Sequence, residues 1–298
     1  MNKSDTKHYH GGYLCDEMAA LVSLSLGIRL QAGPMTREFS PGDDPKGRPA
    51  GPRYRLDPVL SAQAASGILI PNALRDHNLN HEIHSLKRLN ELSAEDATAL
   101  VHAARSYQEA IWIADSDPAL SWLMFVTAAE IAAKNWKKES YTPLDKLQTS
   151  RPVFAGWLRT EVEDHVLQRV AEEFAVYAGV TKKFIEFLIH FLPEPPEERA
   201  RIEGCRCSWS EEDMRDYMGV IYHHRSRALH DGIPFPWPMW CPHPFDPRAE
   251  KPCGEGCSGM GGSWTTKDTP MVLWTFEYIV RNALLKWWAK MLPEDRSS

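Results

Sequence analysis

From about residue 81 onward, apolar positions recur at helical spacing and seldom alternate as a half-buried strand requires. Ser93 with Asp96 predicts a capping box that opens a helix. Its residues Leu100, Ala104, Tyr107, Ile111 and Ala114 keep the helical period. Asp117-Pro118 then starts "ALSWLMFVTAAEIAAKNW", apolar on every side, which predicts the buried central helix of a bundle. Helices are also expected over Val153–Tyr177 and Thr181–Leu192, the second stopped by "PEPPEE". Ser210 and Asp213 predict another capping box, for a helix running to His230 and ended by Asp231-Gly232-Ile233-Pro234. Thr269-Pro270 opens the last helix, "MVLWTFEYIVRNALLKWWAKM".

Earlier in the chain, Asp16–Leu30 is apolar enough for a short helix, and "AGPMTREFSPGDDPKGRPAGPRYRLDP" reads as loop. The expected fold is all-α. A mixed, loop-rich accessory region spans 1–94 and a helical domain spans 95–298, with a Gly/Pro/Cys-rich insertion before the last helix. No internal repeat is visible.

Composition changes this picture little: 43% hydrophobic and 25% charged residues suit a globular chain with a real core. The net charge of -6 argues against a surface built for indiscriminate nucleic-acid binding, yet leaves room for a local basic pocket. Met1–Gly12 is polar, without a secretory pattern. The apolar stretches Ala119–Ala133 and Met271–Val280 are shorter than the roughly 18–20 residues a bilayer needs. Six cysteines in such a chain read as reduced thiols, and a cytoplasmic location is expected.

The local exception to the acidic balance is "YHHRSRALHDG", Tyr222 to Gly232, with His223, His224 and His230 beside Arg225 and Arg227. With Met214 as origin and about 100° per residue, Ile221, Met218 and Ala228 fall within about 40° and define an apolar stripe. Arg225 falls about 20° away, inside that stripe, where a guanidinium needs a negative partner. Glu130, Glu277 or an anionic ligand could supply it. His230 lies about 140° round from Arg225. Either the last turn unwinds, or the two groups meet across two copies of the helix. At the helix C-terminus, the dipole favours a cationic imidazolium. His223, His224 and Arg227 point elsewhere and read as a solvated basic rim.

Arg225-x4-His230 late in an all-α chain resembles the HEPN superfamily, and Tyr222-x-x-Arg225-Ser226-x-x-x-His230 looks like its ApeA-like branch. The apolar helix holding Glu130 is similar to the family's earlier core helix. The resemblance covers about residues 95–298. Arg75/His81 and Arg159/His165 carry similar spacings without that context. In this chain Asp231 stands where the branch often places glycine, and Gly232 follows. The resemblance implies a metal-independent endoribonuclease of toxin or antiviral-defence type, without cofactor. It would work as a homodimer on RNA, with an antitoxin or other regulatory partner. Arg225 and His230 would be catalytic, and Ser226, Tyr222 and Arg227 would hold substrate. The alternative is a non-catalytic helical module using the same arginine pocket to bind a nucleotide, RNA or a protein.

Two other features carry candidate chemistry. "WCPHPFDPRAEKPCGEGC" offers Cys241, His243, Cys253 and Cys257, a donor set zinc accepts, although its spacing matches no standard finger; the plain reading is a loop with free thiols. Cys205-x-Cys207 is a weaker pair. The last helix carries Trp274, Phe276, Tyr278, Trp287 and Trp288, for core packing or a dimer face. No phosphate loop, dinucleotide fingerprint, H-E-x-x-H or G-x-S-x-G occurs, and "CSGMGGSW" lacks the lysine and setting of a phosphate loop.

Overall fold

The computed structural model describes residues 12–34, 37–38, 48–49, 57–60, 68–74, 84–136, 142–175, 179–241, 243–254 and 256–293. Its helices are α1 (Leu14–Leu26), α2 (His84–Lys87), α3 (Ala94–Ile113), α4 (Pro118–Trp136) and α5 (Pro143–Ser150), followed by α6 (Pro152–Glu161), α7 (Asp164–Ala175), α8 (Val180–His190), α9 (Glu211–His230) and α10 (Leu273–Met291). The described strands form two small antiparallel pairs, β1 (Arg37–Glu38) with β2 (Arg48–Pro49), and β3 (Gly256–Gly259) with β4 (Gly262–Thr265). The described chain is therefore mainly α, as the periodicity predicts. None of its helices is long and apolar enough to cross a membrane.

Helix α4 is the centre of the bundle, packed against α3, α8, α9 and α10. Its Trp122 ring is stacked between Phe235 at 5.1 Å and Phe276 at 4.8 Å. Leu21 and Leu24 of α1 enter the same core, as do Leu69 and Ile70, so residues from the N-terminal third complete it. The last helix buries Phe276, Trp287 and Trp288. Trp274 donates to the carbonyl of Ala249, and Tyr278 to that of Glu194. The aromatic surplus is thus consumed within the chain.

Several boundaries differ from the sequence pattern. The single helix expected from Val153 is two, because Val162 is extended (φ -129°, ψ 157°). That break lets α7 fold back, so that Leu147, Ala155, Leu158, Leu167 and Ala171 close a second small core. Tyr177 lies outside the described residues, as do Arg75 and His81. Helix α5 was not foreseen, although Thr142 and Asp145 form a full capping box. In α3 and α9, Ser93 and Ser210 cap the N-termini by accepting from the amides of Asp96 and Asp213. Both carboxylates return to the serine hydroxyl rather than to the cap amide, so each box is only half made. "CSGMGGSW" is the β3–β4 hairpin; Met260 (φ 49°) and Gly261 (φ 82°) give its two-residue turn the positive φ values such a turn needs.

Helix α1 ends at Gly27, whose φ of 69° suits glycine, and a Cβ there would lie 2.8 Å from Nε of Arg281. Arg281 donates to the carbonyls of Leu24 (2.9 Å) and Ser25 (2.5 Å), which a helix end otherwise leaves without partners. Nearby, the buried Tyr107 hydroxyl donates to Glu277 at 2.5 Å. Burial pushes the Glu277 carboxyl up from its usual range, against the opposing pulls of Arg281 and the Tyr107 hydroxyl. The folded chain therefore holds this proton to higher pH than the unfolded chain does. The contribution is fully present below the unfolded pKa of about 4.3 and is lost as pH rises through the folded value. Between about pH 4 and 7, the Tm of Glu277→Gln should fall less with pH than that of the parent; superimposable slopes would contradict this assignment.

Candidate functional site at the end of helix α9

Helix α9 begins with Glu211, Glu212 and Asp213 and ends with Arg227 and His230, each set at the pole the helix dipole favours. Its buried stripe is Met214, Met218, Ile221 and His224. Ala228 and Arg225 are only partly buried. Arg225 therefore stands at the rim of the stripe rather than inside it, because the last turns of α9 run past the core.

Glu130 of α4 meets that guanidinium. One terminal nitrogen of Arg225 donates to Glu130 Oε2 at 2.9 Å, while the Tyr222 hydroxyl donates to Oε1 at 2.8 Å. The guanidinium carbon lies 5.4 Å from the Tyr222 ring centroid. The arginine side chain is 23% exposed and the glutamate 14%, so the pair is held but not sealed. Among the described residues, no other hydrogen bond is made by Arg225. Burial, then the Glu130 hydrogen bond and charge, push the Tyr222 hydroxyl up to about 12, so it stays neutral. Glu277, the other carboxylate considered for Arg225, is engaged with Tyr107 instead.

The helix stays regular through His230. Asp231 remains near helical geometry (φ -109°, ψ -5°), and Gly232 supplies the left-handed residue (φ 67°) that turns the chain. Ile233 N–H closes back on the Arg227 carbonyl at 3.3 Å, which also accepts the Asp231 amide at 2.9 Å. Displacing glycine by one position thus leaves a normal helix stop. With no unwinding, His230 projects about 140° round and about 7.5 Å along the axis from Arg225. Within one chain the two do not share a face. His230 is exposed, and Ser226 and Arg227 are partly buried. Leu229, about 40° from Arg225, is 53% exposed, and Ile233 follows it on the surface.

His224 departs from the basic rim expected of it. It is buried, and its Nε2 lies 2.7 Å from the carbonyl of Asp268, against the Phe235 ring. That carbonyl can only accept, so the imidazole proton sits on Nε2. His223 is exposed and lines a wide groove with Lys182, Glu186, Arg215, Asp216 and Lys267, whose charges are of both signs.

The four residues weighed as a zinc set, Cys241, His243, Cys253 and Cys257, do not converge. His243 and Cys253 meet Cys205 instead, with a ligand atom of each within 4.8 Å of the others. Cys241 and Cys257 stand apart from that group, close enough for Cys257 to add to the burial that pushes the Cys241 thiol up. Cys207 is buried, its thiol pushed up to about 12 by burial first and the Glu250 charge second. Sequence reasoning named Glu130 as a partner for arginine but missed that Tyr222 shares it. A tyrosine three residues before an arginine, on one helix face, was the available signal.

The chain gives no significant match to any protein-family model, curated protein or solved structure.

Burial holds the His224 pKa below its ordinary value, against the raising effect of the Asp268 carbonyl. A histidine with a depressed folded pKa contributes stability that is present above the unfolded value of about 6.5 and is lost as pH falls through the folded one. Between about pH 7.5 and 5, the Tm of His224→Gln should fall less than that of the parent. Parallel curves would show that His224 is protonated alike in both states.

Proposed function

We propose that the chain is a HEPN-like endoribonuclease of toxin or defence type, acting as a homodimer whose two α9 ends line one cleft. The observation that carries this reading is the half-committed guanidinium of Arg225. Glu130 fixes it through one nitrogen, while its partly exposed remaining donors are left to meet a phosphate. The regular helix supports the dimer requirement, since His230 can face an Arg225-bound phosphate only from a second chain. Exposed Leu229 and Ile233 beside Arg225 supply apolar contact where two such helix ends would cross.

In this reading the RNA 2'-hydroxyl attacks the adjacent phosphorus. The new P–O2' bond forms as the P–O5' bond breaks, giving a 2',3'-cyclic phosphate and a 5'-hydroxyl. One His230 accepts the 2'-proton and the partner's His230, protonated, gives a proton to the departing O5'. Arg225 stabilises the charge building on the phosphorane oxygens. Tyr222 stays neutral and holds Glu130, a positioning role. Ser226 and Arg227 contact the flanking RNA backbone. The second reading, a non-catalytic binding module, draws on the same Glu130 contact, which also clamps α9 to α4.

Purified protein should cut single-stranded RNA in EDTA and leave cyclic-phosphate ends, with His230→Ala slower by about 10²–10⁴-fold. Arg225→Ala and His230→Ala should each be impaired alone, yet regain part of the cleavage when mixed and re-equilibrated, because the heterodimer restores one Arg225 opposite one His230 and lacks only the second His230. Leu229→Glu should lower both dimer content in light scattering and the cleavage rate. Equal cleavage by His230→Ala would exclude the catalytic reading, and no cleavage by the parent with retained RNA binding would favour the module.

A further inference from the structure

A second group of reactive side chains joins the segment before α9 to the insertion before α10. Cys205 ends the short turn Glu203–Cys205, and the structure pairs it as a disulfide with Cys253, 48 residues later, with Cα atoms 5.0 Å apart. Sulfurs so placed serve either as a cross-link or as half of a metal site, since both bring two Cys close together. The third member of the cluster discriminates. A ligand nitrogen of His243 stands within 4.8 Å of both sulfurs. An imidazole beside two sulfurs contributes nothing to a disulfide, whereas two thiolates and one imidazole are a donor set for a borderline-soft divalent ion.

The ring is held within its own loop. His243 Nδ1 accepts the amide hydrogens of Asp246 at 3.0 Å and Phe245 at 3.3 Å. The surrounding loop is fixed independently. Glu250 and Lys251 N–H both donate to the Cys205 carbonyl (2.9 and 3.2 Å), and Asp246 accepts from the amides of Arg201 and Ile202. The local apolar core is small, with Ala200, Cys205 and Ala249 buried and Cys253 packed against them. Small cores of this kind gain most from an ion, because binding energy becomes folding energy.

We infer that Cys205, Cys253 and His243 bind one zinc-class divalent cation that clips the insertion to the segment before α9. Binding releases the two thiol protons to solvent and leaves the redox state of both sulfurs unchanged. A fourth tetrahedral position remains for water or another donor.

The test uses the full chain, purified without added metal and without chelator. Elemental analysis should find about one zinc per chain. Cys205→Ser, Cys253→Ser and His243→Ala should each lower that content at least about tenfold, the scale on which loss of one first-sphere or supporting group acts. Cys241→Ser and Cys257→Ser should retain it. Should the first three variants fold poorly, the parent alone decides the matter. Alkylation in denaturant and chelator without reductant should modify all six cysteines. Metal-free protein, or protein in which two cysteines resist alkylation, would overturn the proposal; the second result would make the pair a cross-link. Zinc retained by all three folded variants would place the ion elsewhere and overturn it as well.

Discussion

Everything at the α9 end rests on one carboxylate. A guanidinium at the edge of a helical core costs free energy unless a negative group meets it there. Glu130 meets it, and spends its second oxygen on Tyr222. Both ligands of that carboxylate lie on α9 and the carboxylate itself on α4, so the contact fixes the rotation of α9 about its own axis. Which residues of α9 face the core and which face water follow from that rotation.

The same device recurs where helices give way to loops. Glu250, fully buried, accepts from Arg199, from the amides of Ala200 and Cys207, and lies 3.4 Å from the Trp209 indole nitrogen. Asp115 pairs with Arg29 at 2.6 Å and accepts the Leu69 amide. In each case an ionised side chain replaces the ladder partners that irregular backbone lacks, and hydrogen bonds to charged groups are stronger than neutral ones. The insertion of Pro- and Gly-rich sequence before α10 is therefore held by carboxylates rather than by a large apolar core.

The bundle was legible from periodicity because burial enforces it: Tyr107, Ile111, Trp122 and Phe125 are all fully buried, as their spacing implies. The break at Val162 was not, since nothing in "GWLRTEVEDHVLQ" opposes a helix locally; the turn exists to close the small core around Leu158 and Leu167. Arg225 was rightly seen to need an acid, because the cost of its burial is a property of one helix. The burial of His224 could not be read from that helix, as it depends on the Asp268 carbonyl 44 residues further on. Cys205 was likewise passed over beside His243 and Cys253, because their meeting belongs to the path of the loops and not to any local spacing.

The charges of α9 are sorted along its length, with Glu211, Glu212 and Asp213 at one end and Arg227 and His230 at the other. A second copy laid lengthwise and antiparallel would press each basic end against an acidic one and quench both. Crossing confined to the final turns keeps the acidic ends apart and pools the cations of both chains at the crossing. Like-charge crowding there would weaken such a pair, and an anion bound between the two ends would relieve it.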